Sequence, residues 1–203
     1  HLSLAALPHG AARAERMSGL DAAGWLDGAR RIPSPNCDER PAGETVRLIV
    51  VHAISLPPGE FGGDGISRLF TNTLDPNTHP YYREIQSLHV SAHFLIRRDG
   101  GLVQFVPCEL RAWHAGSSNW RGVGRCNDFS IGIELEGSDE APFEPAQYAA
   151  LARLIALLRQ RYPIADIAGH ADIAPGRKSD PGPFFNWAHL HRLLAGDAPD
   201  GSA

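Results

Sequence analysis

The chain lacks several features that mark special classes of protein. It has three cysteines among 203 residues, Cys37, Cys108 and Cys126. This odd number without CxxC spacing argues against a disulfide scaffold and favours reduced thiols, as in a cytoplasm. No apolar run approaches the length of about 20 residues that a membrane-spanning helix requires. The opening residues also lack the basic-then-apolar order of an export signal, so a cytoplasmic location is expected.

An excess of basic residues is also missing. The chain has 19 Lys and Arg against 23 Asp and Glu, for a formal net charge of -4. Nucleic acids and anionic membrane surfaces normally require a basic face, so both are disfavoured as partners. A small substrate of neutral or mixed charge fits better. No coiled-coil pattern or long apolar surface pattern appears, and a monomer is therefore expected.

Length and composition predict one domain with a sizeable core, because 43% of the residues are hydrophobic and 21% are charged. Met17 is the only methionine, and the residues before it show no core-forming periodicity. We therefore expect residues 1–16 to be a tag or non-native extension. Residues 17–196 are expected to form the domain, and residues 197–203 a polar tail.

Apolar patterns predict an α/β fold with a mixed central sheet flanked by helices. Residues 46–54 are apolar at nearly every position, which is typical of a strand covered on both faces. Residues 90–97 and 102–106, separated by a Gly-containing turn, predict a β-hairpin. Residues 145–162 carry apolar residues at helical spacing. Residues 75–86 and 169–183 are predicted to be loops.

Two predicted strands end at a histidine. His52 follows the apolar run VRLIVV, and His170 follows the run from Ile164 to Ala168 and a glycine. The loop after His170 also contains Asp180. Two imidazoles and a carboxylate suit Zn(II), and three protein ligands leave a fourth position for water or substrate. The same set serves Fe(II) in oxygenases, so the ligand types alone leave both metals open.

Hydrolysis at such a metal also needs a carboxylate that moves protons and a cation that stabilises the developing oxyanion. Glu134 and Lys178 are the candidates. Glu134 lies in the alternating segment FSIGIELE, which places Glu136 on the same strand face. The pattern alone does not separate the two glutamates.

Several long motifs together resemble one known family. They are VVHAISLPPGEFGG, HPYY, SAHFLIRRDG, AWHAG, CNDFSIGIELEG and GHADIAPGRKSDPGP, in this order. From about Gly24 to Trp187 the chain looks like the AmpD-type N-acetylmuramoyl-L-alanine amidases, a zinc amidase family related to phage amidases and peptidoglycan recognition proteins. The resemblance implies their fold, a mixed sheet flanked by helices.

The resemblance also implies roles for individual residues. His52, His170 and Asp180 match the zinc ligands, with one zinc per chain. Glu134 matches the catalytic acid and base, and Lys178 matches the residue that stabilises the tetrahedral intermediate.

Further residues match the part of the family that lines the substrate groove, namely Tyr81, Trp113 and Arg125. Two positions depart from the family pattern. Ala53 stands where many members have Asn, and His89 stands where Arg is usual, so substrate contacts there are expected to differ. His93 and His114 lie in matching motifs but are not expected to be ligands.

The function that the resemblance implies is hydrolysis of the amide between N-acetylmuramic acid, in its 1,6-anhydro form, and L-alanine of muropeptides released during cell-wall recycling. Three alternatives stay open. The chain could bind muropeptides without cutting them, act as an amidase on polymeric peptidoglycan, or be a non-haem iron oxygenase.

Overall fold

The computed structural model describes residues 19–196. The expectations for residues 1–16 and 197–203 fall outside this range. Within it, none of the helices combines the length and the apolar character needed to cross a membrane.

The strands of the described part of the chain form one large sheet and two small ones. In chain order the strands are β1 Arg30–Arg31, β2 Cys37–Glu39, β3 Leu48–Ile54, β4 Phe94–Ile96, β5 Leu102–Gln104, β6 Leu110–Ala112, β7 Asn119–Trp120, β8 Val123–Gly124, β9 Ser130–Glu136 and β10 Asp166–Gly169. The large sheet has the order β1-β5-β4-β9-β3-β10. Only β4 and β5 pair in antiparallel fashion within it, so the sheet is mixed as predicted. Antiparallel pairs also form between β2 and β6 and between β7 and β8.

Within residues 19–196, five α-helices accompany the strands: α1 Gly65–Phe70, α2 Pro80–Ile85, α3 Pro145–Arg161, α4 His170–Ile173 and α5 Trp187–Leu194. A short 3-10 helix, Cys126–Phe129, precedes β9. The long helix α3 is fixed to the sheet by Gln147, whose amide nitrogen donates to the carbonyl oxygens of Glu136 at 2.9 Å and Ile96 at 3.3 Å.

The central strands confirm what the apolar patterns predicted. Strand β3 pairs with β9 on one side and β10 on the other, and its residues 48–52 are buried. The predicted hairpin is β4 and β5, with Phe94 opposite Gln104. Every residue of β9 is buried, including those on its polar face. The carboxylates of this strand are therefore not surface charges.

Two predicted loops contain helical turns. In residues 75–86, helix α2 begins at Pro80, and the His79 side chain accepts a hydrogen bond from the Tyr81 N–H at 3.1 Å. Proline suits the first turn of a helix because its missing N–H would be unpaired there. In residues 169–183, α4 forms one turn, with the Asp172 carboxylate accepting from the Gly169 N–H at 2.8 Å. The prediction that residues 169–183 contain no helix was wrong for this turn.

The parallel strands β3, β9 and β10 bring their carboxyl ends to one edge of the sheet. His52 lies opposite Glu134, and Gly169, the last residue of β10, lies opposite Val51. His170 follows directly. Ligand sites of open α/β sheets form at this edge, so the fold itself brings the candidate residues together.

Candidate active site

Three candidate ligand atoms converge at the carboxyl edge of the sheet. The His52 Nδ1 atom lies 3.0 Å from the His170 Nδ1 atom and 3.0 Å from the Asp180 Oδ2 atom. The distance from His170 Nδ1 to Asp180 Oδ2 is 3.3 Å. Both histidines are buried, and Asp180 is partly buried. The structure thus assembles the set that the sequence indicated.

The shape of this triangle fits a small metal ion. Zinc bonds of about 2.0–2.1 Å in tetrahedral geometry place neighbouring ligand atoms about 3.3 Å apart, close to the three observed separations. Two imidazole nitrogens that face each other at 3.0 Å in a buried site also favour a shared cation. The described residues 19–196 contain this one cluster suited to a metal ion.

The other ring nitrogen of each histidine has a partner behind the cluster. The His170 Nε2 atom lies 2.9 Å from the Ala115 carbonyl oxygen, and the His52 Nε2 atom lies 2.8 Å from the His114 Nδ1 atom. Metal-binding histidines usually donate this second N–H to a fixed acceptor. Both rings therefore have an orientation suited to metal binding through Nδ1.

Burial and charge shift the protonation of the cluster. Burial lowers the pKa of His52, with the hydrogen bond to Asp180 acting in the opposite direction. Burial alone would raise the pKa of Asp180, but hydrogen bonds from His170 and His52 outweigh it, so this pKa lies below its usual range. A neutral imidazole and an ionised carboxylate are the forms that bind a metal.

Glu134 is the buried carboxylate beside this cluster. Its Oε1 atom lies 3.9 Å from His52 Nδ1, and its Oε2 atom is buried without a hydrogen-bond partner among the described residues. Burial, and then the charge of Asp180, raise the pKa of Glu134 well above its usual value, while Lys178 acts against them. A carboxylate poised to take up a proton suits general acid–base work.

Glu136, the rival that the sequence could not separate, is fully engaged elsewhere. Its Oε2 atom accepts hydrogen bonds from the Gly62 N–H and the Arg97 guanidinium, both at 2.9 Å, and its Oε1 atom accepts from the Arg98 N–H at 3.2 Å. Its carboxylate is therefore committed to holding loops, which leaves Glu134 as the candidate acid and base.

Lys178 lies on the loop that carries Asp180. Its exposed side chain makes no hydrogen bond or ion pair within residues 19–196, and it contributes to the wall of the groove above the cluster. The next residue fixes this loop, since the Ser179 hydroxyl donates to the Asp139 carboxylate at 2.8 Å. The Lys178 ammonium group is thus available to a ligand.

A groove of about 760 Å³ opens over the cluster. Tyr81 and Trp113, two of the residues predicted to contact substrate, lie in its wall, and the Trp113 indole donates to Asp38 at 3.2 Å. Arg125 is not part of its lining: the side chain is 78% exposed and lies 3.5 Å from Asp128. Of the two departures from the family pattern, Ala53 lines the groove, whereas exposed His89 does not.

Two residues near the cluster were missed by sequence reasoning as contributors to the site. His114 was considered only as a possible ligand, and its contact with His52 depends on the pairing of distant segments. Asn127 lies in the 3-10 helix and makes no hydrogen bond to the three candidate ligands, but its Oδ1 atom accepts hydrogen bonds from the backbone N–H groups of His114 and Ala115. His114 lies in the motif AWHAG and Asn127 in the motif CNDFS, and neither motif by itself indicates these contacts.

The arrangement of fold and site defines a class. A buried donor set suited to one metal ion, beside an unpartnered carboxylate and below an open groove, is typical of metal-dependent hydrolases. Residues 42–183 match the family model described as N-acetylmuramoyl-L-alanine amidase. The chain belongs to the N-acetylmuramoyl-L-alanine amidase family. This result confirms the resemblance and favours amide hydrolysis over the iron oxygenase alternative.

Individual relatives agree with the family. The chain is 58% identical over 174 residues to the 1,6-anhydro-N-acetylmuramyl-L-alanine amidase AmpD of Escherichia coli K12, covering 85% of this chain and 95% of that protein. A crystal structure of a selenomethionine derivative of AmpD superposes with a TM-score of 0.84 at 59% identity, covering 87% of this chain and 99% of that one.

A more distant solved structure contains a ligand. It is a complex of the amidase AmiD from E. coli with the substrate anhydro-N-acetylmuramic acid-L-Ala-D-gamma-Glu-L-Lys. The TM-score is 0.54 at 32% identity, with 85% of this chain and 64% of that one covered. The predicted fold class is confirmed by these superpositions.

Proposed function

We propose that the chain is a zinc-dependent amidase that cleaves the bond between 1,6-anhydro-N-acetylmuramic acid and L-alanine in muropeptides from cell-wall recycling. The observation that carries the proposal is the Glu134 carboxylate beside the His52, His170 and Asp180 cluster, whose buried Oε2 atom has no hydrogen-bond partner among the described residues. The substrate follows from the AmpD relative, which the chain matches over nearly its whole length.

His52, His170 and Asp180 would hold the metal. Zinc, when bound, acidifies a water molecule and polarises a carbonyl group. Two neutral imidazoles and one carboxylate suit this ion. His52 lies in β3, His170 in α4, and Asp180 in the loop that follows α4. Because these elements are packed on the sheet, the donor atoms are held before the ion arrives.

Glu134 would take the proton from the attacking water and pass it to the nitrogen of the leaving L-alanine. Its pKa is raised above the usual value by burial, which makes the carboxylate a better proton acceptor for the first step, and the proton it gains is the one it gives to the nitrogen in the second. Lys178 would place its positive charge near the carbonyl oxygen as negative charge develops there. Its unpaired ammonium group and its place in the groove wall support this role.

The groove would bind the sugar and the stem peptide. Trp113 offers an apolar face for stacking, and its indole N–H is already satisfied by Asp38, so the ring position is fixed. Tyr81 lies in the same wall. The predicted contact of Arg125 with substrate stays part of the proposal; it requires this exposed side chain to turn from Asp128 toward the groove.

The proposal has three further parts: the metal is zinc, the protein is a monomer, and it is located in the cytoplasm. Zinc is supported by the nitrogen and oxygen ligand set. A cytoplasmic location is supported by three cysteines that form no disulfide with one another, two of which are buried. Metal analysis of the isolated protein, its mass in solution and fractionation of the producing cell measure these three points.

The test is to offer the purified protein 1,6-anhydro-muropeptide and to detect the free stem peptide by mass spectrometry. Cleavage should stop when a chelator removes the metal and return when zinc is added. Cleavage that is insensitive to the chelator would refute the metal mechanism. Tight binding without cleavage would instead support the non-catalytic alternative.

A parallel sample of polymeric peptidoglycan separates the remaining alternative. If the polymer is cut as fast as the anhydro-muropeptide, the substrate assignment fails even though the amidase chemistry stands. The Glu134→Ala protein is the matched control for contaminating amidases, because its release of peptide should be at least about 100-fold slower on either substrate.

A further inference from the structure

Two consecutive residues support both histidines of the cluster from behind. His114 contacts His52 through its side chain, and Ala115 contacts His170 through its carbonyl oxygen, at 2.8 Å and 2.9 Å. Both residues are buried, so water does not compete for these bonds. The two ligands come from different strands, but their outer partners come from one short stretch of chain.

The contact on the His52 side fixes where protons lie. If His52 offers the Nδ1 lone pair to the cluster, its proton is on Nε2 and is donated to His114 Nδ1. His114 must then carry its own proton on Nε2, which lies 3.0 Å from the Ser130 hydroxyl oxygen. The hydrogen bonds therefore run in one direction, from His52 to His114 to Ser130.

The His114 ring has little room to adopt another position. A Cβ atom added at Gly132 would lie within 2.5 Å of the ring. Because Gly132 has no side chain, the His114 imidazole can lie directly against β9. Packing and two hydrogen bonds together hold the ring between His52 and Ser130.

The carbonyl oxygen on the His170 side is also bound by a cation. The Ala115 carbonyl oxygen also accepts a hydrogen bond from the Arg177 guanidinium at 2.7 Å, and the same group donates to the Ser117 carbonyl at 2.9 Å. Two donors match the two lone pairs of this oxygen. Arg177 thereby ties the stretch that contains Ala115 to the loop that supplies Asp180.

Asn127 holds the backbone of both supporting residues. Its Oδ1 atom accepts hydrogen bonds from the His114 N–H at 3.1 Å and from the Ala115 N–H at 2.8 Å. A single side-chain oxygen therefore sets the position of the His114 ring and of the Ala115 carbonyl. Loss of this oxygen would disturb the outer partners of both histidines at once.

We propose that His114–Ala115 is a shared orienting segment of the metal site, with His114 and Asn127 as positioning residues that act through His52 and His170. The inference rests on the proposed function for the metal role of these two ligands. It predicts that residues without any contact to the ion control how tightly it binds.

The first test compares His114→Leu with His114→Asn. Leucine removes the acceptor for His52, whereas the Asn Oδ1 atom can take the place of His114 Nδ1. We expect zinc affinity, measured by competition with a chromophoric chelator, to fall about 10- to 100-fold in His114→Leu. His114→Asn should recover most of this loss.

The matched control is His93→Leu. His93 is also a fully buried histidine, with Nδ1 accepting from the Gly132 N–H at 3.1 Å and Nε2 lying 2.9 Å from the Leu110 carbonyl. Its ring centroid lies 6.1 Å from that of His114, but no hydrogen bond joins it to His114, His52 or His170. Its loss should lower the melting temperature and leave zinc affinity of the folded protein unchanged. Equal losses of affinity in His93→Leu and His114→Leu would overturn the inference.

The second test compares Asn127→Ala with Asn127→Asp. Alanine removes the oxygen that holds the segment, and aspartate keeps an oxygen at that position. Zinc affinity should fall in Asn127→Ala by about 10-fold or more and be largely restored in Asn127→Asp. Wild-type affinity in a folded Asn127→Ala protein would exclude a positioning role.

A measurement on the unchanged protein covers the case in which a variant does not fold. NMR of histidine labelled with 15N, in the zinc-loaded chain, should show His52, His114 and His170 all protonated at Nε2. A proton on Nδ1 of His114 would overturn the proposed direction of the hydrogen bonds. If the unchanged protein binds no zinc at all, the proposed function fails; if it binds zinc but the variants bind equally well, only this inference fails.

Discussion

Glu134 and Glu136 lie two residues apart on the same face of β9, and their surroundings differ completely. Glu136 is 2% exposed and both of its oxygens accept hydrogen bonds, one of them from the Arg97 guanidinium. Glu134 is 8% exposed and one of its oxygens has no partner. The negative charge of Asp180 acts on it and disfavours its ionised form.

The difference shows how one strand can serve stability and chemistry at once. A buried carboxylate that is fully bonded stabilises the loops around it, whereas one that is left unpaired costs free energy. Proteins tolerate such unpaired groups mainly at functional sites. Glu134 would therefore be retained for reactivity and Glu136 for structure.

The strongest test of this division is Glu134→Ala. We expect turnover of anhydro-muropeptide to fall about 10²- to 10⁴-fold, because the group that moves protons is gone. Zinc content should stay the same, since the proposed ligands are intact, and metal analysis of the variant checks this. Near-normal turnover would assign the acid and base role to another residue, and Glu134 would then no longer be the reactive member of the pair.

Asp180→Ala removes the negative charge that acts on Glu134. It removes one of three proposed ligands, so zinc affinity should fall by more than the factor of about 100 found for outer contacts. Competition with a chelator measures this loss. The matched control is Asp139→Asn. Asp139 accepts a hydrogen bond from Ser179, the neighbour of Asp180, and is not one of the proposed ligands, so zinc affinity should be kept.

Glu136→Ala tests the structural half of the comparison. It leaves Arg97 and two backbone N–H groups without their acceptor, and the free energy of unfolding should fall by about 3 kcal/mol. Denaturant unfolding measures this value. The exposed pair of Asp64 and Arg68 provides the control: Asp64→Asn should cost less than about 1 kcal/mol. A Glu136→Ala protein that keeps its stability but loses turnover like Glu134→Ala would reverse the two roles.

The smallest expected effect concerns pH. The pKa of Glu134 is raised in the folded protein, mainly by burial, so the folded state binds more protons than the unfolded state above pH 4.5. The contribution of Glu134 to the stability of the metal-free protein is therefore lost as pH rises through this window. Glu134→Gln removes this dependence and should be more stable than the unchanged protein by a margin that grows with pH. Thermal unfolding of both metal-free proteins from pH 4 upward measures the margin; a constant margin would contradict the raised pKa.

The sequence by itself determined the main elements and the ligand types. The apolar run before His52 specified a strand buried on both faces, and the spacing of residues 145–162 specified the long helix, because such patterns depend only on local periodicity. The order of the motifs also sufficed to identify the family. The turns at Pro80 and His170 were missed because their capping contacts outweighed the loop-like composition of their segments.

Only the tertiary structure separated the two glutamates and revealed which residues contact the histidines from behind. Glu134 and Glu136 are equivalent in pattern, and they differ because Arg97 reaches one and Asp180 lies near the other. His114 meets His52, and Asn127 holds His114, only through contacts between segments far apart in the chain. Hydrogen bonding and burial depend on which groups the fold brings together, and a linear pattern does not contain that information.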